Sequence, residues 1–234
     1  MRLSHGSSAL SATFDDPNLV SAAGLAPVLA LAQSCRFADL VAEKLTLKAT
    51  GGVNAPVKVP ALVAGMIAGA DSIADMDLLR HGGMGRLFAG IRAPSTLGTF
   101  LRSFTFGHVR QLESVAAAVL TALAAATPLL PGADRMTFLD LDDTMRQTHG
   151  YAKQGAGYGY NKIKGLNALL ATISTPTAAP VIGAARLRRG AVKSARGAQH
   201  LVAEALGTAR AVGAGGPDRS GLVLLRGDSA FYGH

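Results

Sequence analysis

The stretch MTFLDLDDT, residues 136–144, decides how the rest of the chain is read. Its two-residue period and its β-forming residues predict a strand. That strand ends among three carboxylates, Asp140, Asp142 and Asp143. Residues two apart on a strand point to one face, so Asp140 and Asp142 are spatial neighbours. Two carboxylates side by side in an apolar strand repel each other and lose hydration. A divalent cation offsets that penalty, and oxygen donors suit Mg²⁺ or Mn²⁺. The plainer reading is a solvated strand end before a turn, where Asp is common.

Downstream, Gly155, Gly157 and Gly159 mark a turn-rich stretch with Tyr151, Tyr158 and Tyr160. LNALLATIST, residues 166–175, is a second strand, and APVIGAARLRRG, residues 179–190, is a third, opened by Pro180. SARGAQHLVAEALGTARAVG, residues 194–213, reads as a helix with Leu201, Ala205 and Leu206 on one face and Gly213 at its end. GLVLLRGDSAF, residues 221–231, is a fourth strand that reaches Asp228. The order is β-β-β-α-β. Ligand sites of α/β folds lie at the carboxyl ends of buried strands, which is where Asp228 falls. A strand-end cap is the competing reading. In this order the fourth strand can return beside the first and bring Asp142 and Asp228 together. With a third carboxylate that is a two-metal nuclease arrangement.

Upstream, residues 1–130 read as helical. Pro60 is expected to open a helix over ALVAGMIAGA. Asp71, Ser72 and Asp75 are expected to cap a short helix ending near His81, stopped by Gly82 and Gly83. Ser95 is expected to cap TLGTFLRSFTF, with Leu97, Leu101 and Phe104 at helical spacing. A further helix runs from about Gly107 through an alanine-rich run, expected to be buried because it is short, weakly apolar and broken by Pro128 and Pro131. Short helices with glycine-bearing turns are compatible with a helix-turn-helix module or any small bundle.

The whole chain has 234 residues, 49% hydrophobic and 16% charged, which excludes disorder as its main state. Cys35 is the single cysteine, so an internal disulfide and a Cys-rich zinc site are excluded and a reducing cytoplasm is expected. Residues 1–12 lack the apolar core of a secretory signal. The net charge is +8, and most of the basic excess falls after residue 130. A basic chain suggests an acidic partner such as nucleic acid. Arg186, Arg188, Arg189 and Lys193 are candidate phosphate contacts or a solvated face. His149 reads as a turn residue, Gly155–Gly159 lacks the lysine of a phosphate loop, and Arg226-Gly227-Asp228 reads as a chance tripeptide.

Several long segments together resemble bacterial insertion-sequence transposases of the DDE type, in the insertion sequence 1380 group. They are FDDPNLVSAAGLAPVLALA (14–32), LLRHGGMGRLF (78–88), APSTLGTFLRSFTFGHVRQL (93–112), FLDLDDT (138–144), GYNKIKGLNALLATISTPTAAPV (159–181) and LLRGDSAFYG (224–233). The resemblance implies an α+β or α/β chain: a helical DNA-binding region, 1–130, then an RNase H-like catalytic core from 131 to 234. It implies two Mg²⁺ or Mn²⁺ ions held by Asp, Asp and Glu. The first Asp falls on Asp142, with Asp140 and Asp143 as alternatives, and the second on Asp228. The implied partners are double-stranded DNA, as terminal inverted repeats and target, and a second copy of the chain in a homodimer, in the bacterial cytoplasm at the nucleoid, with no membrane. The implied Glu comes from a helix after the second Asp. Glu204, the one glutamate after residue 130, precedes Asp228, so the third catalytic Glu is not present. The chain is therefore expected to be the front portion of a transposase, inactive alone, with an open sheet edge and an uncovered apolar face. A non-catalytic DNA-binding remnant or repressor is the alternative. Asp140-Leu141-Asp142-Asp143-Thr144 also fits the nucleophile motif of haloacid-dehalogenase-type phosphatases, although that motif precedes a helix.

Overall fold

The computed structural model describes residues 16–47, 53–150 and 153–232. Residues 1–12, Phe14, Tyr151 and Gly233, read above from sequence, lie outside them. The protein is a mixed α/β chain that divides into two compact units, 1–108 and 109–234.

The first unit is helical. It contains α1 (Leu25–Ser34), α2 (Phe37–Lys44), α3 (Ala55–Ile67), a 3-10 turn (Ala74–Leu79), α4 (Met84–Leu87) and α5 (Pro94–Arg102). Its core holds Val41, Leu79, Met84, Leu97 and Phe100, all nearly inaccessible, and Cys35 is buried with them. Lys58 is buried in α3 with its ammonium 5.2 Å from the Phe100 ring centre, where the ring face attracts the cation. Gly65 permits α3 to lie against the 3-10 turn, since a Cβ there would sit 2.3 Å from Met76 Sδ.

Three local expectations change here. Pro56, not Pro60, stands in the first turn of α3; Pro60 lies inside the helix, where it removes one backbone hydrogen bond. Pro94, not Ser95, opens α5, with Ala93 extended before it. Leu97 and Phe100 form the buried face of α5, while Leu101 points outward at 44% exposure. The acidic cap changes as well: the N-cap is Ile73, with no side-chain cap bond, and Asp75, inside the 3-10 turn, accepts from the backbone N–H groups of Ser72 and Asp71 before it.

α6 (Phe106–Ala126) covers the alanine-rich run. The expectation that it is buried fails, because Val115 is its single buried residue. Alanine side chains offer too little apolar area to draw a whole helix inward. Among the described residues it is the one single helix long and apolar enough to cross a membrane, and the bent pair α1–α2 passes the same test taken together.

The second unit is built on one open mixed sheet: β1 (Met136–Gln147), β2 (Gly157–Tyr158), β3 (Lys164–Thr175), β4 (Ala178–Arg189) and β5 (Leu222–Gly227), with α7 (Ala198–Ala211) between β4 and β5. β1 and β3 pair antiparallel, as do β3 and β4. β5 returns parallel to β1 on its other side. The long strands therefore run β4-β3-β1-β5, with β2 adding two pairs beyond the end of β4. Pro180 lies inside β4, at a register shift on a strand that among the described strands pairs with β3 alone, so its missing N–H falls where the ladder is already irregular.

Strand alternation divides the sheet into two faces. Leu139, Leu141, Leu169, Ala171 and Ile173 meet Leu201, Ala205 and Ala209 of α7 in the core. The opposite face is far less covered. Ile182, Leu187, Leu222 and Leu224 are 59%, 42%, 50% and 36% exposed there, and Leu225 on the other face of β5 is 55% exposed. β5 pairs with β1 alone among the described strands. The open edge and the thinly covered apolar face thus occur as expected.

Candidate functional site

The parallel return of β5 sets the site. Leu141 pairs with Gly227, so Asp142 and Asp228 are the next residues along two adjacent strands that run in the same direction. Alternation assigns Asp142 to the face of Phe138 and Asp140, and extended backbone continues Asp228 on the face of Leu224 and Arg226, whose strand partners are Phe138 and Asp140. Both carboxylates are exposed. Each keeps one local hydrogen bond: Asp142 Oδ1 accepts from the Asp143 N–H at 2.8 Å, and Asp228 Oδ1 accepts from the Ala230 N–H at 2.9 Å. The second bond caps the 3-10 turn Ser229–Phe231, so Asp228 is also a strand-end cap. Each carboxylate retains a second oxygen for a hard cation.

The two neighbouring aspartates have other work. Asp140 makes a two-point contact with Arg226, whose guanidinium lies 4.3 Å from the Phe138 ring centre. Asp143 faces the other side of the sheet, where its side chain is 8% exposed and Arg188 is 7% exposed. Arg188 reaches Asp143 Oδ2 at 3.1 Å and Asn167 Oδ1 at 2.8 Å, and donates to the Ser194 and Arg196 carbonyls. Asn167 and Ser194 donate to Asp143 as well. A buried ion pair survives only with such surrounding hydrogen bonds.

Arg186 is engaged too. It donates to both oxygens of Glu204 at 2.7 Å, and Arg110 of α6 binds both Glu204 and Glu113. Burial pushes the Glu113 carboxyl above its ordinary range, against the pull of Arg110 and Arg186. Burial would also raise Glu204, but the Arg110 hydrogen bond and the Arg186 charge outweigh it and hold that carboxyl low. Of the four proposed phosphate contacts, Arg186 and Arg188 therefore serve these internal pairs. Arg189 and Lys193 are exposed and form no ion pair among the described residues.

No group of three or more His, Cys, Asp or Glu side chains converges on a metal position among the described residues. Asp142 and Asp228 are two carboxylates on adjacent strands, the oxygen-donor type that Mg²⁺ or Mn²⁺ takes. Glu204, held by two arginines on α7, is not among them. The Asp143–Arg188 network went unread in the sequence, although alternation from Leu139 and Leu141 already assigns Asp143 to the covered face. No family model, curated protein or solved structure matches the chain.

Proposed function

We propose that the chain belongs to a DDE-type DNA transposase whose core is RNase H-like. One observation carries this reading. β5 lies parallel beside β1 with Leu141 opposite Gly227, so Asp142, inside β1, comes beside Asp228, the first residue past the carboxyl end of β5. Three antiparallel long strands, a helix and a parallel fourth strand beside the first are what such a core requires, and β1, β3, β4, α7 and β5 have that order.

In this reading Asp142 and Asp228 hold a divalent ion against a scissile phosphate. The ion supplies Lewis-acid stabilisation of phosphoryl oxygens. Arg226 holds Asp140 out of the site and so leaves Asp142 with one acidic neighbour rather than two. Arg189 and Lys193 supply positive charge to the backbone of the duplex. The second reading, a repressor that occupies element ends, draws on the exposed charges of Arg189 and Lys193. The phosphatase motif is poorly placed by comparison, because Asp140 and Asp142 lie inside β1, which continues to Gln147.

The test has two arms. The DNA flanking the coding region is read for inverted repeats, and a duplex carrying them is compared with a scrambled duplex in a gel shift. Repeats that bracket the region and bind more tightly than the scramble are expected. Absence of repeats together with equal binding overturns the reading. In parallel, Mn²⁺ binding is followed by electron paramagnetic resonance. Asp142→Asn and Asp228→Asn are each expected to abolish it, and unchanged binding removes the metal role.

A further inference from the structure

We propose that the β2–β3 hairpin and the segment after β4 form a separate site for unpaired nucleotides of a DNA strand. The site stacks bases on Tyr158 and Tyr160 and holds phosphates with Lys162 and Lys193. It rests on the transposase reading only for the source of that strand.

The hairpin is a rigid platform. The Gly159 N–H donates to the Ile163 carbonyl at 3.1 Å, the Lys162 N–H donates to the Gly159 carbonyl at 3.0 Å, and the Asn161 side chain accepts from the Ile163 N–H. Lys162 takes a left-handed conformation, φ 59°, to close the turn. Gly159 lies directly over Met145 of β1, since a Cβ there would stand 2.7 Å from its Sδ. This closure leaves Tyr158 and Tyr160 pointing outward at 67% and 81% exposure. Two large rings held in water by a tight turn present faces that the fold itself does not use.

Beside them lies an open pocket of about 370 Å³, floored by Met145 and walled by Ala191, Lys193 and Ser194. Its wall is fixed, because the Ser194 hydroxyl donates to Asp143 at 3.0 Å and Arg188 holds the Ser194 carbonyl. Ala230, two residues beyond Asp228, lines its edge. The pocket floor lies on the Asp143 face of the sheet, opposite the face that carries Asp142 and Asp228.

Charge selects the occupant. No acidic residue occurs between Asp143 and Glu204. Arg188 neutralises Asp143 behind the wall. Lys162, Arg189 and Lys193 are exposed and make no ion pair among the described residues. Exposed rings interleaved with unpaired cations are the recognition chemistry of single strands: every base has a π-face for stacking, and the groove follows the phosphates. A duplex hides its base faces in the stack, so the tyrosines discriminate against it.

The experiment is fluorescence anisotropy of the full chain with a labelled oligothymidylate about 12 nucleotides long, in chelator, against a duplex of equal length. Tyr158→Ala with Tyr160→Ala is expected to weaken single-strand binding about tenfold or more, since each stacked base contributes about 1–3 kcal/mol. Tyr158→Phe with Tyr160→Phe is expected to retain binding, because the ring face remains. Duplex binding is expected to be unaffected by either pair. Lys193→Gln is expected to reduce the salt slope by about 0.7. Unchanged affinity in the alanine pair overturns the proposal, as does an equal loss in the phenylalanine pair or a parallel loss for the duplex. Chelator removes any metal-bridged binding at Asp142 and Asp228. Loss of metal binding or of repeat preference therefore sinks the transposase reading without touching this result, and the reverse holds.

Discussion

At the scale of residues, the three aspartates of β1 have three different surroundings within four positions. Asp143 balances Arg188 where both are nearly inaccessible. Asp143→Ala leaves a buried guanidinium without its counter-charge and is expected to destabilise the fold by about 3 kcal/mol or more, measured by urea unfolding. Asp140→Ala breaks an exposed contact with Arg226 and is expected to leave the same curve nearly unmoved. Equal losses for the two would mean that the faces of β1 are assigned wrongly. Glu204 gives a pH signature. Its carboxyl is held below the ordinary value, so its stabilisation is present above the unfolded-state value and is lost as pH falls through the folded one. Glu204→Gln is therefore expected to be less stable than wild type near neutrality, with the gap narrowing in acid. Glu113 has the opposite sign: burial raises it, so its ionisation opposes folding as pH rises. Denaturation curves across the carboxylate range read both trends.

At the scale of elements, the junction of β2, β3 and β4 depends on bare backbone. A Cβ on Gly190 would stand 2.1 Å from the Gly165 carbonyl oxygen and 2.4 Å from that of Gly157. The Gly190 N–H donates to the Gly155 carbonyl at 3.0 Å. Gly190→Ala must therefore push the hairpin away from the end of β4. Faster proteolytic cleavage within residues 155–163, with the β1–β3–β4 ladder intact by circular dichroism, is the expected result. Strand periods were readable at this scale because each long strand has one covered face: Leu139, Leu141, Leu169, Ala171 and Ile173 alternate with partly exposed positions. β2 was not readable, because two residues show no period and their fit depends on Gly190, 33 positions after Gly157. α6 misled for a related reason. Its alanines look apolar one by one, yet they bury little area, and burial follows area rather than residue class.

At the scale of the whole molecule, the chain divides into two compact units. Cys35 is buried in the first unit, and all four tyrosines fall in the second. Urea titration is therefore expected to show two transitions, with thiol reactivity reporting the first unit and loss of strand dichroism the second. Coincident curves would show that the two units unfold as one.

What the sequence determined by itself is local. That a strand covers residues 136–144, that a helix lies within 194–213, that a fourth strand lies within 221–231 and that a basic stretch follows Asp143 all rest on period, capping and composition within a short window. What only the tertiary structure decided is pairing. Which aspartate faces the core, which arginines are neutralised by carboxylates from other elements, and that β5 lies beside β1 with Leu141 opposite Gly227 all depend on residues from 18 to 94 positions apart. A charge is available to a ligand only if no partner from elsewhere in the chain has claimed it, and a window of sequence does not contain that partner.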